Sequence, residues 1–328
     1  MAYYTPEERG WRIEDGNGCH PLSSIFYPPD AGYDKIVPMR TPLVLILLLF
    51  SAQCYGSEAG WSQYGIIDIH AHIGTFRGYD LGLETLLENL RRYGVHMALI
   101  SNIDGANAAL LTKNLTETVS NRATEQAVRQ YPELLRGLIW AKPESGSPSE
   151  VEPFLSHKLE NGSPVFVGIK FHPEFNHFSA DDPRVDGYLK LCEKYGISAV
   201  FHCGHPGTNS GVEKIYAAAR RHPSVSVILY HMGFFGPYEP AITAAKKARA
   251  NRDALLYLET AQADPDSVIH AIRELGSSYL LFGTDATYYG RDHYAKYQKL
   301  IDRLKRDLAP GDFDKVVRGN AEALFHLK

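Results

Sequence analysis

The 328-residue sequence has few cysteines, little net charge and no long basic run, and each shortage bears on the class of protein. Its four cysteines, Cys19, Cys54, Cys192 and Cys203, show no CxxC spacing, so they say nothing about disulfides and do not indicate a cysteine nucleophile. The formal net charge of -4 argues against a protein that binds nucleic acid by electrostatic attraction. We therefore expect a small neutral or anionic molecule as the binding partner.

The N-terminal part of the sequence lacks the periodicity of strands and helices. Residues 1–38 are rich in Tyr, Pro, Gly and Asp, and we expect an irregular extension there. Residues 39–59 begin with Met39 and Arg40, continue with an apolar run and end in small and polar residues, which is the pattern of a secretory signal peptide. The run is shorter than the roughly 20 residues of a membrane span, so a short anchor or a segment buried beneath the folded domain is a weaker alternative. If Met39 is the true start, we expect an exported protein, periplasmic or secreted, and otherwise a cytoplasmic one.

The stretch Asp68–His72 follows the apolar pair Ile66 and Ile67 and predicts a β-strand that ends in two imidazoles. Alternate side chains of a strand point the same way, so His70 and His72 can reach one metal ion. Asp68 is expected on that same face, where its carboxylate could orient a ligand through a hydrogen bond. A half-buried pair of histidines with ordinary partners is the alternative for so short a pattern.

Apolar runs that end in a polar residue recur further along the chain. They lead to Lys170 and His172, to His202 and His205, to His231, and to Asp285. Further runs near residues 97–100, 135–140 and 254–258 bring the predicted strands to about eight, with segments of helical period between them. This alternation is typical of a (β/α)8 TIM barrel, here over residues 61–328, whose strands meet with their carboxyl ends at one mouth. A doubly wound open sheet is the competing architecture.

The residues at these strand ends resemble those of a known family. The motifs are Asp68–His72, Gly168–Pro173, Phe201–Pro206, Tyr230–Gly233, Phe282–Asp285 and Gly319–Ala321. From about Ile66 onward the chain resembles the metal-dependent amidohydrolases, in particular the amidohydrolase-related group of hydrolases and non-oxidative decarboxylases. The resemblance implies that one divalent metal ion, most often zinc, is held by His70, His72, His202 and Asp285. It also implies that His231 stands beside the metal's water without necessarily binding the ion.

This set of residues suits hydrolysis by an activated water. Three neutral imidazoles and one carboxylate fit zinc or another borderline divalent metal, and such an ion lowers the pKa of bound water toward about 7. Asp285 is then placed to take the proton of that water, and His231 to stabilise the oxyanion or share the proton. We therefore expect a metal-dependent hydrolase that cleaves an ester, lactone or amide bond of a small molecule. The alternatives are a decarboxylase of the same family and a barrel that binds metal or ligand without turnover.

Several residues keep more than one interpretation. Lys170 corresponds to a lysine that is carbamylated and bridges two metals in binuclear relatives, but it could also face the substrate as a cation or be packed or ion-paired. His205 either lines the substrate pocket or lies exposed in its loop, and Glu259 either faces the mouth or caps the next helix. For a decarboxylase, Arg77 and Arg291 are further candidates for binding a carboxylate. A homo-oligomer is expected only because dimers are the most common soluble assembly.

Overall fold

The computed structural model describes residues 60–327, which form eight parallel strands alternating with helices. The strands are β1 Ile67–Ile73, β2 Met97–Asn102, β3 Leu135–Ala141, β4 Phe166–Phe171, β5 Ser198–His202, β6 Ser226–Tyr230, β7 Leu255–Glu259 and β8 Leu280–Leu281. Each strand pairs with the next one in chain order. The backbone N–H groups of Ile69 and His72 donate to the carbonyl oxygens of Phe282 and Ala286, which joins the first strand to the last. The fold is therefore a (β/α)8 barrel, and the alternative of an open doubly wound sheet is wrong.

The helices of the described residues lie outside the strands or close the barrel after β8. They are α1 Leu83–Tyr93, α2 Glu117–Gln130, α3 Pro148–Leu155, α4 Pro183–Tyr195, α5 Val212–Arg221, α6 Glu239–Asn251, α7 Pro265–Leu275, α8 Gln298–Asp307, α9 Pro310–Asp314 and α10 Asn320–Phe325. Short 3₁₀ turns precede β1 and β8 and follow β2, and a longer one, Gly290–Tyr297, precedes α8.

Local sequence sets both ends of α4. The carboxylate of Asp182 accepts the backbone N–H of Arg184, and Pro183 occupies the first turn, where its missing N–H leaves no hydrogen bond unmade. The helix ends at Gly196, whose φ of 63° lies in the left-handed region that glycine adopts most easily. The predicted apolar stripe of this helix, which includes Val185 and Leu189, is buried.

Two apolar layers hold the strands in place. One lies inside the barrel and contains Ile67, Ile69, Val167 and Val200. The other lies between the strands and the outer helices and contains Ile73 together with many helical side chains. The strands are therefore covered on both faces, which explains why their sequences are almost continuously apolar.

A bulge in β1 changes which of its side chains face the barrel interior. Pairing with β2 shifts register between Asp68 and Ala71, so Ile69 and His70 both face inward although they are neighbours. The carboxylate of Asp68 points to the other side, where it accepts from the backbone N–H of Thr284 at 3.1 Å and from the hydroxyl of Tyr294 at 2.9 Å. The prediction that Asp68 shares a face with the two histidines is therefore wrong, and Asp68 ties β1 to the segment after β8.

Some predictions are not tested by this fold. Among residues 60–327, no helix is long and apolar enough to cross a membrane. The predicted extension of residues 1–38 and the signal-peptide-like segment of residues 39–59 lie outside the described residues. These assignments, the exported location and the homo-oligomer stay predictions.

Candidate metal centre

The residues that the sequence singles out for metal chemistry meet at the carboxyl ends of the strands. His70 and His72 come from β1 and His202 is the last residue of β5, while His231 and Asp285 follow β6 and β8. All five are buried. Residues that are hundreds of positions apart in sequence thus share one site because a closed barrel brings its strand ends together.

The tightest group of donors within the described chain consists of His70, His231 and Asp285, whose ligand atoms lie within 4.8 Å of one another. The carboxylate oxygen Oδ1 of Asp285 is 3.2 Å from Nε2 of His70 and 3.3 Å from Nε2 of His72. The ring of His202 lies with its centre 4.8 Å from that of His231. His231, expected beside the metal's water, thus belongs to this group, while His72 contacts it through Asp285 and the ring of His202 adjoins that of His231.

The buried imidazoles of this site are held neutral. Burial above all, with nearby positive charge as a further cause, keeps the pKa well below 6.5 for His70, His172, His202 and His231. A neutral imidazole is the form that binds a metal ion. His70, His202 and His231 are therefore held in the neutral form that a metal ligand needs.

Hydrogen bonds on the far side of each ring orient the β1 histidines. Nδ1 of His70 lies 3.2 Å from Oε2 of Glu259, and Nδ1 of His72 lies 3.3 Å from the carbonyl oxygen of Ser101. When both Nδ1 atoms donate to these oxygens, both Nε2 atoms present lone pairs toward Asp285. Two lone pairs facing one carboxylate oxygen repel each other unless a cation lies between them. Together with Nδ1 of His231, which is buried without a hydrogen-bond partner among the described residues, this donor set fits a divalent metal ion.

Two of the site residues have backbone conformations that are unusual for their type. His231 has a φ of 69° and Asp285 a φ of 60°, both in the left-handed region. For a residue other than glycine this conformation costs roughly 1–3 kcal/mol and is concentrated at functional sites. The conformation of these two residues lowers the stability of the fold, and it directs both side chains into the mouth of the barrel.

Lys170 lies in β4 and is fully buried next to the donor group. Its Nζ atom has no hydrogen-bond partner among the described residues and lies 3.9 Å from the centre of the Tyr230 ring. Burial lowers the pKa of Lys170 to about 7, while the carboxylates of Asp285 and Glu259 oppose that shift. No carboxylate forms an ion pair with this amine among the described residues, so the interpretations of Lys170 as a packed side chain and as a cation that faces the substrate both stay predictions.

The other candidates occupy different places. The ring of His172 stacks on those of Phe175 and His202, with ring centres 4.0 Å and 4.1 Å apart. His172 therefore packs against His202, a predicted ligand. His205 lies exposed in the loop after β5, and its part in substrate binding stays a prediction. Arg77 is exposed, and the side chain of Arg291 is 73% exposed and 3.7 Å from Glu88. The two arginines therefore lie at the surface, and Lys170 is the buried amine of the site.

Sequence reasoning left two contacts of the site unassigned. Glu259, which was expected either to face the mouth or to cap a helix, reaches His70 and accepts the backbone N–H of His231 at 2.9 Å. Gln262, for which no pattern gave a signal, donates from Nε2 to Oδ2 of Asp285 at 3.1 Å. The end-of-strand position could have indicated Glu259, but nothing in the sequence indicates Gln262.

A family model described as Amidohydrolase matches residues 67–327. The chain belongs to the amidohydrolase family. The match covers the whole barrel, including every residue of the donor group. The predicted family is thus confirmed. No curated protein matches the sequence.

Solved structures with the same fold belong to enzymes of several activities. A 5-carboxyvanillate decarboxylase from Novosphingobium aromaticivorans, complexed with manganese and 4-hydroxy-3-methoxy-5-nitrobenzoic acid, is 14% identical, with a TM-score of 0.60 over 81% of this chain and 97% of the decarboxylase. A 2,6-dihydroxybenzoate decarboxylase from Rhizobium is 17% identical, with a TM-score of 0.59 over 80% and 99% of the two chains. A 4-oxalomesaconate hydratase from Rhodopseudomonas palustris is 14% identical, with a TM-score of 0.57 over 80% and 96%. At these identities the likeness establishes the fold, and the reaction must be argued from the site.

Proposed function

We propose that this protein is a metal-dependent decarboxylase of a small aromatic or unsaturated carboxylic acid. The observation that carries the proposal is the buried amine of Lys170, which lies beside the donor group with no hydrogen-bond partner among residues 60–327. A bound carboxylate would favour the charged form of this amine and supply the hydrogen-bond partner that it lacks. A neutral ester, lactone or amide has no carboxylate to pair with the amine, so the hydrolase expected from the motifs is the less supported hypothesis.

Aromatic side chains around the mouth support a flat, unsaturated substrate. Phe76 and Phe175 stack with their ring centres 5.8 Å apart, and Tyr288 packs edge-on to Phe76 at 5.6 Å. On the other side, the ring of Phe234 lies 5.1 Å from His202 and 5.0 Å from His231. A planar ring packed against these aromatic side chains gains dispersion and quadrupole interactions. An aliphatic ester would gain less from them.

The similar structures support the same substrate class. Two of them are decarboxylases of aromatic acids by name, and one was solved with manganese and a substituted benzoic acid. We propose one divalent ion in this chain, either zinc or manganese. The imidazole-rich donor set favours zinc, whereas the manganese in the carboxyvanillate enzyme makes that metal the first alternative to test.

The roles of the chain's own residues follow from their positions. A bound divalent ion would supply positive charge that polarises the substrate. Lys170 would select an acid and fix its orientation. Because an ion pair to the leaving carboxylate stabilises the substrate more than the transition state, Lys170 contributes mainly to affinity. Asp285 would pass a proton from solvent water to the ring carbon as the bond to the carboxyl group breaks, and carbon dioxide would depart.

The full chain loaded with Zn²⁺ or Mn²⁺ tests the proposal against two panels of compounds. One panel contains hydroxybenzoic and unsaturated acids, with release of carbon dioxide and incorporation of deuterium from D₂O at the vacated carbon as readouts. The other contains esters, lactones and amides. Carbon dioxide release with one deuterium per turnover is the expected result. Cleavage of the second panel alone would support the hydrolase, and bound metal with no turnover on either panel would support a binding barrel.

A further inference from the structure

One short segment at the end of β7 contacts all three members of the tight donor group. Oε2 of Glu259 accepts the backbone N–H of His231 at 2.9 Å and lies 3.2 Å from Nδ1 of His70. Gln262 donates to Oδ2 of Asp285 at 3.1 Å. Strand β7 contributes no predicted ligand. Its last residue, Glu259, and Gln262 in the loop after it nevertheless connect the ends of β1, β6 and β8.

The backbone of Gln262 is held in a conformation that glutamine rarely adopts. Its φ is 60°, in the left-handed region. The backbone N–H donates to the hydroxyl of Tyr297 at 3.2 Å, and the carbonyl oxygen accepts from the hydroxyl of Tyr238 at 3.2 Å. The two tyrosines therefore hold the strained backbone of Gln262 in place. Such strain persists where the side chain is needed in one position.

The side-chain amide of Gln262 makes its hydrogen bond to the site itself. Nε2 donates to Oδ2 of Asp285, while Oε1 is buried without a hydrogen-bond partner among the described residues. With Oδ2 engaged, Oδ1 of Asp285 is the oxygen that faces Nε2 of His70 and His72, at 3.2 and 3.3 Å. Without the amide, the plane of the carboxylate could rotate so that neither of its oxygens faces both imidazoles.

We propose that Gln262 is a positioning residue of the metal centre, whose amide fixes the Asp285 carboxylate so that one oxygen faces the imidazoles of β1. Glu259 acts alongside it by holding the ring of His70 through Nδ1, the ring nitrogen that faces away from Asp285. The inference rests on the metal centre of the proposed function but not on the reaction catalysed there. Residues in such outer contacts typically change metal affinity 10- to 100-fold when replaced.

The test is a titration of the metal-free full chain with Co²⁺, followed by its visible absorption and by thermal unfolding. Gln262→Met keeps the length of the side chain and removes the donor, and Gln262→Gly removes the side chain at a φ that glycine accepts, so at least one variant should fold. Gln130→Met is the control, because the amide of Gln130 is exposed, outside the site, and donates to the hydroxyl of Tyr131 at 3.2 Å.

The expected result is a Co²⁺ Kd that is 10- to 100-fold weaker in both Gln262 variants, with a changed absorption spectrum and an unfolding temperature close to that of the wild type. Gln130→Met should match the wild type. A wild-type Kd and spectrum in folded Gln262→Met and Gln262→Gly would overturn the inference, even if turnover fell. A wild-type chain that binds no Co²⁺ would overturn the metal centre and this inference together, whereas a wild-type chain that binds Co²⁺ without decarboxylating any acid would overturn the proposed reaction only.

Discussion

The Nζ atom of Lys170 lies 3.9 Å from the centre of the Tyr230 ring. The same ring stacks on His70 with centres 3.7 Å apart, so Tyr230 connects the amine to the donor group. A cation over an aromatic face is stabilised, but only by about 0.5–2 kcal/mol, less than a buried charge loses on leaving water. Lys170 therefore remains available for a charged ligand.

Lys170→Met should weaken the binding of acid substrates. A hydrogen bond to a charged group contributes about 1.5–3 kcal/mol, so we expect KM to rise roughly 10- to 100-fold while kcat changes little. Steady-state kinetics at saturating metal would measure both constants. Lys194→Met, at a surface lysine that is 64% exposed, is the control. Loss of a second metal ion from Lys170→Met would instead support the carbamylated, bridging interpretation.

Asp285→Asn should remove the proton donor while leaving the shape of the site almost unchanged. A positioned acid or base contributes roughly 10²- to 10⁴-fold to the rate, and we expect kcat to fall by that factor at metal concentrations that saturate the variant. Asp292→Asn changes an aspartate that is paired with Arg92 at the surface and should keep full turnover. Wild-type kcat in Asp285→Asn would contradict the role assigned to Asp285.

Glu117 should make stability depend on pH. It is buried between α2 and the loop after β3, where it accepts from the hydroxyl of Tyr188 at 2.6 Å and from the backbone N–H of Ser147 at 3.0 Å. Burial raises its pKa from 4.5 to about 7, although these hydrogen bonds oppose the shift. A raised pKa means that the folded state holds the proton more tightly than the unfolded state. Its stabilising contribution is therefore complete below pH 4.5 and is lost as the pH rises to about 7.

The measurement for Glu117 is urea unfolding of the metal-free full chain at pH 5 and pH 7. The free energy of unfolding should lose on the order of 2–3 kcal/mol from this group over that interval. Glu117→Gln should be less stable at both pH values, but its pH dependence should be weaker by that amount. An equal pH dependence in wild type and Glu117→Gln would show that Glu117 does not titrate in this range.

The strands and the ends of the strands could be predicted because each strand is apolar on both faces and then stops at a polar residue. Leu135–Ala141 and Phe166–Phe171 follow this rule, and Lys170 and His202 lie where the rule places them. The last strand is shorter than its apolar run predicts. The run from Tyr279 to Thr284 is paired as a strand only at Leu280–Leu281, because the backbone N–H of Phe282 donates to Val316.

The arrangement behind the ligands could not be predicted, since it depends on contacts between residues far apart in sequence. The bulge in β1 turns Asp68 away from His70, and strict alternation gives no sign of it. Glu259 reaches His70 across 189 positions of the chain, and Gln262 meets Asp285 only because β7 and β8 are neighbours in the barrel. Strand periodicity shows which face a residue occupies, but not which partner it meets there.

The central claim is one divalent metal held by the residues at the barrel mouth, and elemental analysis of the purified full chain tests it most directly. Wild type and His70→Ala would be compared, with His205→Ala as a control at an exposed histidine outside the donor group. We expect about one zinc or manganese ion per chain in the wild type and in His205→Ala, and a loss of that ion in His70→Ala. No metal in the wild type, or unchanged metal content in His70→Ala, would contradict the account.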